Sequence, residues 1–167
     1  MKTRDWRLSQ KDLLEMDIDS FEDLKPVEKE NLKLVMTELK GWAHQNVDEV
    51  LSVMAEDSVY YDITFQPAIG HKGIREFGDG WVNAVPDFRP YIEAFVVEGN
   101  QVVNMGRISG TMKHDFFGMP GNGKKFDCQY CQFALIENKK IKYIRDHWNV
   151  VDMYQQLGWD CSTLNKK

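Results

Sequence analysis

Hydrophobic positions along this chain change their period, and the changes divide it into helices followed by strands. From Pro26 onward, Leu32, Val35, Met36, Leu39, Trp42 and Ala43 recur at the three- and four-residue spacing that gathers side chains on one face of a helix. Asn46, with Glu49 three residues later, has the look of a cap, and Val47, Val50, Leu51 and Met54 repeat the spacing, which predicts a second helix. Over Ser58 to Phe65 the pattern becomes alternating, with Val59, Tyr61, Ile63 and Phe65 set against Tyr60, Asp62 and Thr64, and this predicts a strand. Ile74, Phe77, Trp81 and Val85 return to helical spacing until Pro86 stops it, despite the cost of Gly78 and Gly80 inside.

Beyond Pro86 the alternation predicts four strands, at about 90–98, 101–113, 124–137 and 140–151, joined by tight turns at Gly99-Asn100 and Asn138-Lys139. Three helices followed by a strand meander predict an α+β fold, in which a curved sheet wraps over the helices and leaves a hollow between them. That hollow is the candidate ligand site. Residues 1–26 are acidic and irregular and read as an N-terminal extension, in which Ser9-Gln10-Lys11-Asp12 before Leu13-Leu14 resembles the start of one helical turn. The domain itself is expected over 27–160, with 161–167 as a tail.

Composition narrows the function classes. A chain of 167 residues suits one domain with one substantial core. Its net charge of −5 and its lack of any basic cluster exclude nucleic acid as the expected partner. No apolar run approaches the ~20 residues that cross a bilayer, so a soluble, cytoplasmic protein is expected. Cys128, Cys131 and Cys161 are an odd number in a chain that needs no staples, and reduced thiols are expected.

Several motifs suggest chemistry that their context does not support. Gly118 to Lys124 matches the Gly-x4-Gly-Lys part of a phosphate loop, but Lys125 stands where a magnesium-binding Ser or Thr belongs and a strand pattern follows instead of a helix. Cys128-Gln129-Tyr130-Cys131 lies on a strand, where residues three apart point to opposite faces and cannot share a metal. His44, His71, His114 and His147 show no metal-binding spacing, so no metal is expected.

The final strand carries the candidate chemistry. Ile144, Asp146, Trp148 and Val150 share one face, so a single acid interrupts an apolar stripe that should line the hollow. An apolar environment raises a carboxyl pKa toward the range where the group both gives and takes a proton. Two readings of Asp146 follow: an acid/base group, or a structural carboxylate paired with Arg107 or His114. Phe126, Cys128, Tyr130, Gln132 and Ala134 form one face of the neighbouring strand, where Gln132 is either a donor to a ligand carbonyl or an ordinary strand amide.

Three stretches together carry a family resemblance. They are Gly70 to Phe77 leading to Pro86-Asp87-Phe88, then Lys113-His114-Asp115-Phe116-Phe117-Gly118-Met119-Pro120-Gly121-Asn122-Gly123-Lys124, and finally Ile144-Arg145-Asp146-His147-Trp148 through Asp152 to Gln156-Leu157-Gly158. Over about residues 28–158 the chain resembles the SnoaL-like polyketide cyclases, or ester cyclases, of the NTF2-like superfamily. It departs from their pattern at Gly121-Asn122-Gly123, where Pro-Thr-Gly is usual, and at Asp115, where a small residue is usual.

The resemblance implies an NTF2-like cone with an apolar pocket for a small hydrophobic or aromatic molecule. It implies intramolecular aldol condensation of a polyketide-like ester, with no cofactor and no metal. Asp146 would then be the acid/base, with His114 and Gln132 as donors to the developing enolate. Trp42, Tyr61, Phe77, Trp81 and Trp148 would supply aromatic walls. A related isomerase or dehydratase using Asp62 or Asp146 is the alternative, and a non-catalytic binding module is a third reading. A homodimer through the outer strand face, with Tyr143, His147 and Gln129, is also expected.

Overall fold

The computed structural model describes residues 12–162. Ser9, Gln10 and Lys11 lie outside the described residues, and Asp12 is the cap of the first 3-10 turn, Leu13–Glu15, accepting the Leu14 N–H at 3.1 Å. A second 3-10 turn, Ile18–Ser20, follows. The segment is joined to the domain, since Asp12 also accepts the Ile92 N–H at 3.0 Å and pairs with Arg89, while Leu14 and Leu24 are buried in the core.

Helix α1 (Pro26–Ala43) starts at a proline, whose fixed φ suits the first helical position, and the Glu28 carboxylate takes the free Lys25 N–H at 2.9 Å. Helix α2 (Val47–Val53) begins at the Asn46 cap, and α3 (Gly70–Ala84) stops before Pro86. Strand β1 (Met54–Asp62) begins and ends earlier than the expected 58–65, and the short β2 (Ala68–Ile69) pairs with it. The meander comprises β3 (Arg89–Glu98), β4 (Gln101–Thr111), β5 (Lys125–Glu137) and β6 (Lys140–Trp148). At the β5–β6 turn both Asn138 and Lys139 have positive φ, the conformation of a tight primed hairpin turn.

The six strands form one sheet in the order β2-β1-β6-β5-β4-β3. All neighbours are antiparallel except β1 and β6, which run parallel, so the sheet is mixed. A register shift between Ile92 and Ala94 marks a bulge in β3, and opposite it Gly106 lets the backbones meet: a Cβ there would lie 1.9 Å from the Tyr91 carbonyl oxygen. The sheet is thus bent toward the helices, whose apolar stripes it covers.

The expected strand at 140–151 ends at Trp148. Asn149 then caps a fourth helix, α4 (Val150–Leu157), accepting the Asp152 N–H at 3.2 Å, so Val150 does not continue the stripe of Ile144, Asp146 and Trp148. Gly158 closes α4 in the left-handed conformation. Gly118 to Lys124 is a loop feeding β5, and Cys128 is buried inside while Cys131 stands on the other face. No helix among the described residues is long and apolar enough to cross a membrane, and they contain no group of three or more His, Cys, Asp or Glu side chains able to hold a metal ion.

Candidate active site

Between sheet and helices lies a cavity of about 60 Å³. Its walls are aromatic: Trp42 from α1, Phe77 and Trp81 from α3, Tyr60 from β1, Tyr130 from β5 and Trp148 from β6. Phe65 and Phe116 pack edge-on at 5.1 Å, and Phe116 in turn packs on Phe77 and Trp81. Among the described residues, polar atoms enter this wall only through Asp62, Gln132, Asp146 and the tyrosine hydroxyls and indole nitrogens. No Lys, Arg or His among the described residues lines it.

Sheet geometry explains who faces inward. Asp146 stands in register with Asp62 on one side and Gln132 on the other, and in-register neighbours share a face. Asp146 Oδ2 accepts the Tyr60 hydroxyl at 2.5 Å. Its Oδ1 is buried with no hydrogen-bond partner. The Gln132 amide opposite favours the ionised carboxylate, yet no hydrogen bond closes onto Oδ1 in this geometry. Burial outweighs these donors and, with the neighbouring Asp62 charge, pushes the Asp146 carboxyl up to about 7.

Asp62 differs in kind. Trp148 Nε1 donates to its Oδ2 at 3.0 Å, while the Thr64 N–H and hydroxyl both donate to its Oδ1, at 2.8 and 2.6 Å. Its lone pairs are engaged in holding the end of β1, whereas Asp146 keeps one oxygen open. Neither structural partner suggested by the sequence reaches Asp146: Arg107 pairs with Asp127 at 2.9 Å, and His114 is exposed.

Of the residues read from sequence, Trp42, Asp62, Phe77, Trp81, Gln132, Asp146 and Trp148 converge on the cavity. Tyr61 and His114 do not. Tyr61 shares a register row with Arg145, whose guanidinium lies 5.0 Å over its ring on the outer face, so the inward residues of β1 are Ser58, Tyr60 and Asp62. The apolar character of Val59 and Tyr61 reflects cover by their neighbours and not the hollow. His114 lies past the end of β4, where alternation no longer holds, and its N–H donates to the Ala84 carbonyl in a surface loop.

Sequence reasoning missed Glu38. It lies three residues after Val35 and four before Trp42, within the apolar stripe of α1, and it is 0% exposed. Trp42 Nε1 donates to Oε1 at 2.5 Å, and Gln132 Nε2 to Oε2 at 3.3 Å. Burial, reinforced by the Asp146 charge, pushes this carboxyl up to about 8. Behind Gln132 the network continues, with Asn104 donating to Gln132 Oε1 at 2.8 Å and Tyr130 donating to Asn104 Oδ1 at 2.5 Å.

The family model for SnoaL-like polyketide cyclases matches residues 33–157. The chain belongs to that family. Among solved structures, a SnoaL-like polyketide cyclase assignment from Jannaschia sp. CCS1 superposes with TM-score 0.74 at 18% identity, covering 80% of this chain and 95% of that one. A protein of ketosteroid isomerase-like fold from Catenulispora acidiphila DSM 44928, in complex with trimethylamine, gives TM-score 0.68 at 15% identity over 78% and 95% of the two chains. TerC, co-crystallised with polyporic acid, gives TM-score 0.65 at 17% identity over 77% and 98%. At these identities the likeness is one of fold, and it gives this SnoaL-like chain the NTF2-like cone. Comparison with curated protein sequences yields no match.

Proposed function

We propose that this SnoaL-like protein is a cofactor-independent cyclase, acting on a neutral, flat, polyketide-like ester by intramolecular aldol condensation. The observation that carries the reading is Asp146 Oδ1, buried and unpartnered at the wall of an aromatic cavity. A carboxyl poised near neutrality is readily ionised, and its carboxylate form can accept a proton from the carbon beside an ester carbonyl. The enolate carbon then attacks a second carbonyl of the same molecule, and Asp146 returns the proton to the alkoxide oxygen so formed. Gln132 is the neighbouring amide available to a developing oxyanion.

The lining also defines the ligand. With acids and no bases in the wall, a carboxylate or phosphate on the ligand would meet repulsion without compensation. The space is narrow, so Phe65, Phe116 and Met119 must shift to admit the ligand. A cytoplasmic homodimer joined through the outer face around Tyr143 and His147 belongs to the same proposal.

A second reading, an isomerase or dehydratase shuttling a proton on a ketone, is favoured by the close register of Asp62 and Asp146. Incubation with a linear polyketide ester, followed by chromatography, tests the choice. Ring closure lost in Asp146→Asn supports the cyclase. Migration of a double bond in a β,γ-unsaturated ketone, with no ring closure, transfers the assignment to the isomerase.

A further inference from the structure

Two carboxyls share one interior, the buried Glu38 and the half-buried Asp146, whose Oδ1 is itself buried, and their hydrogen-bond partners are unequal. Glu38 receives donors on both oxygens, from Trp42 and Gln132. The indole N–H can only donate, so a proton on Oε1 would oppose it. The second donor is fixed from behind: Tyr130 donates to Asn104, Asn104 to Gln132, and Gln132 to Glu38. This chain of donors runs one way and ends on Glu38, which must accept.

Reversing the chain would need both amides turned. That would strip the Tyr130 hydroxyl proton of its acceptor and would make the 3.3 Å contact at Glu38 a hydroxyl bond, longer than the roughly 2.5–3.0 Å such bonds take. Asp146, by contrast, has one closed hydrogen bond, from the Tyr60 hydroxyl, with the Gln132 amide near it but no hydrogen bond closing onto Oδ1, and it stands beside Asp62.

We propose that Glu38 is a positioning residue that carries the negative charge of this buried pair and so keeps Asp146 protonated at Oδ1, facing the cavity, in the unliganded protein. The titratable groups bearing on the pair are Tyr60 and Asp62 of β1 and Tyr130 and Cys131 of β5, and no cation among the described residues lines the cavity. Both tyrosines are held in the neutral form by burial and by the two acids, which leaves the carboxyls to titrate. Burial raises both acids, Glu38 to about 8 and Asp146 to about 7, an order that taken one group at a time would leave the proton on Glu38. The fixed run of donors ending on both Glu38 oxygens is what assigns it to Asp146, within a pair that titrates in two macroscopic steps. Asp146 first meets a ligand as a donor to a carbonyl oxygen, and its base form appears only as the pair loses that proton.

The inference rests on Asp146 being the acid/base of the site, but its test reads protonation and not turnover. In the full-length protein without substrate, the side-chain carboxyl carbons are followed by 13C NMR as pH is raised. Near neutral pH the Asp146 carbon is expected in its acid position and the Glu38 carbon in its carboxylate position. In Glu38→Gln, the Asp146 midpoint should fall by about one pH unit or more, a tenfold loss of proton affinity. An ionised Asp146 beside a protonated Glu38 in the parent protein overturns the proposal, as does an Asp146 midpoint that Glu38→Gln leaves unmoved. Should that variant not fold, the parent spectrum alone decides. Loss of the cyclase reading would show instead as an Asp146→Asn protein that still closes rings.

Discussion

The two faces of the sheet use the same residue types to opposite effect. On the outer face, Arg107 meets Asp127 and Arg145 lies over Tyr61, with water free to screen each pair. Against the inner face, Asp146 and the Glu38 of α1 have no cation among the described residues, and an amide, a phenol and an indole hold them instead. Charge outside is cheap and contributes little, whereas charge inside is costly and therefore shifts in pKa. Chemistry is available where the protein has refused to neutralise its acids.

The sharpest way to break this contrast is Asp146→Asn. The substitution preserves shape and removes the titrating group, so turnover of a polyketide ester should fall by roughly 10²–10⁴-fold while circular dichroism stays that of the parent. Unchanged turnover would reduce the inner face to scaffold. Next in size, Glu38→Ala strands the Trp42 and Gln132 donors in the core, and urea unfolding should show a loss of about 2–4 kcal/mol. A loss comparable to that of a surface substitution would mean the network is dispensable.

The pH dependence of stability sharpens the comparison further. Glu38 and Asp146 have folded pKa values raised above those of the unfolded chain, so folding binds protons between the two sets of values. The stability they confer is complete below about pH 4 and is lost as pH rises toward about 8, at no more than about 1.4 kcal/mol per pH unit for each group. The urea midpoint should therefore be higher at about pH 5.5 than at about pH 8, and Asp146→Asn should flatten the difference. The smallest effect belongs to the outer face: Arg107→Ala should change stability by less than about 1 kcal/mol, since both partners of its ion pair are largely exposed.

Much of this arrangement is legible in sequence, but unevenly. Period-two alternation places Asp146 correctly because β6 keeps an unbroken register from Tyr143 to Trp148, beyond the irregularity at Lys142, and the residues from Phe126 to Ala134 on β5 follow for the same reason. On β1 the rule misleads. Its outward residues Val59 and Tyr61 are themselves half-buried, so hydrophobicity no longer distinguishes inside from outside, and the Tyr61 ring lies under Arg145. His114 fails for want of a strand. The Asn149 cap, with Asp152 three residues on, was the available signal for α4 in place of a longer β6. Glu38 sits at stripe spacing between Val35 and Trp42, and its polarity hid what its position declared. Its donors come from an indole on its own helix and an amide more than ninety positions away, a meeting that no local pattern encodes.

The slot that β6 fills, between β1 and β5, has a bearing on how the molecule comes into being. Until Lys140–Trp148 has left the ribosome, the earlier strands form two separate pieces with greasy flanks, and neither contains Asp146 or Trp148. Synthesis from the amino end therefore finishes the cavity and its acid in a single late event. A polypeptide severed at the Asn138-Lys139 turn should regain its architecture only when the missing strand is supplied in trans.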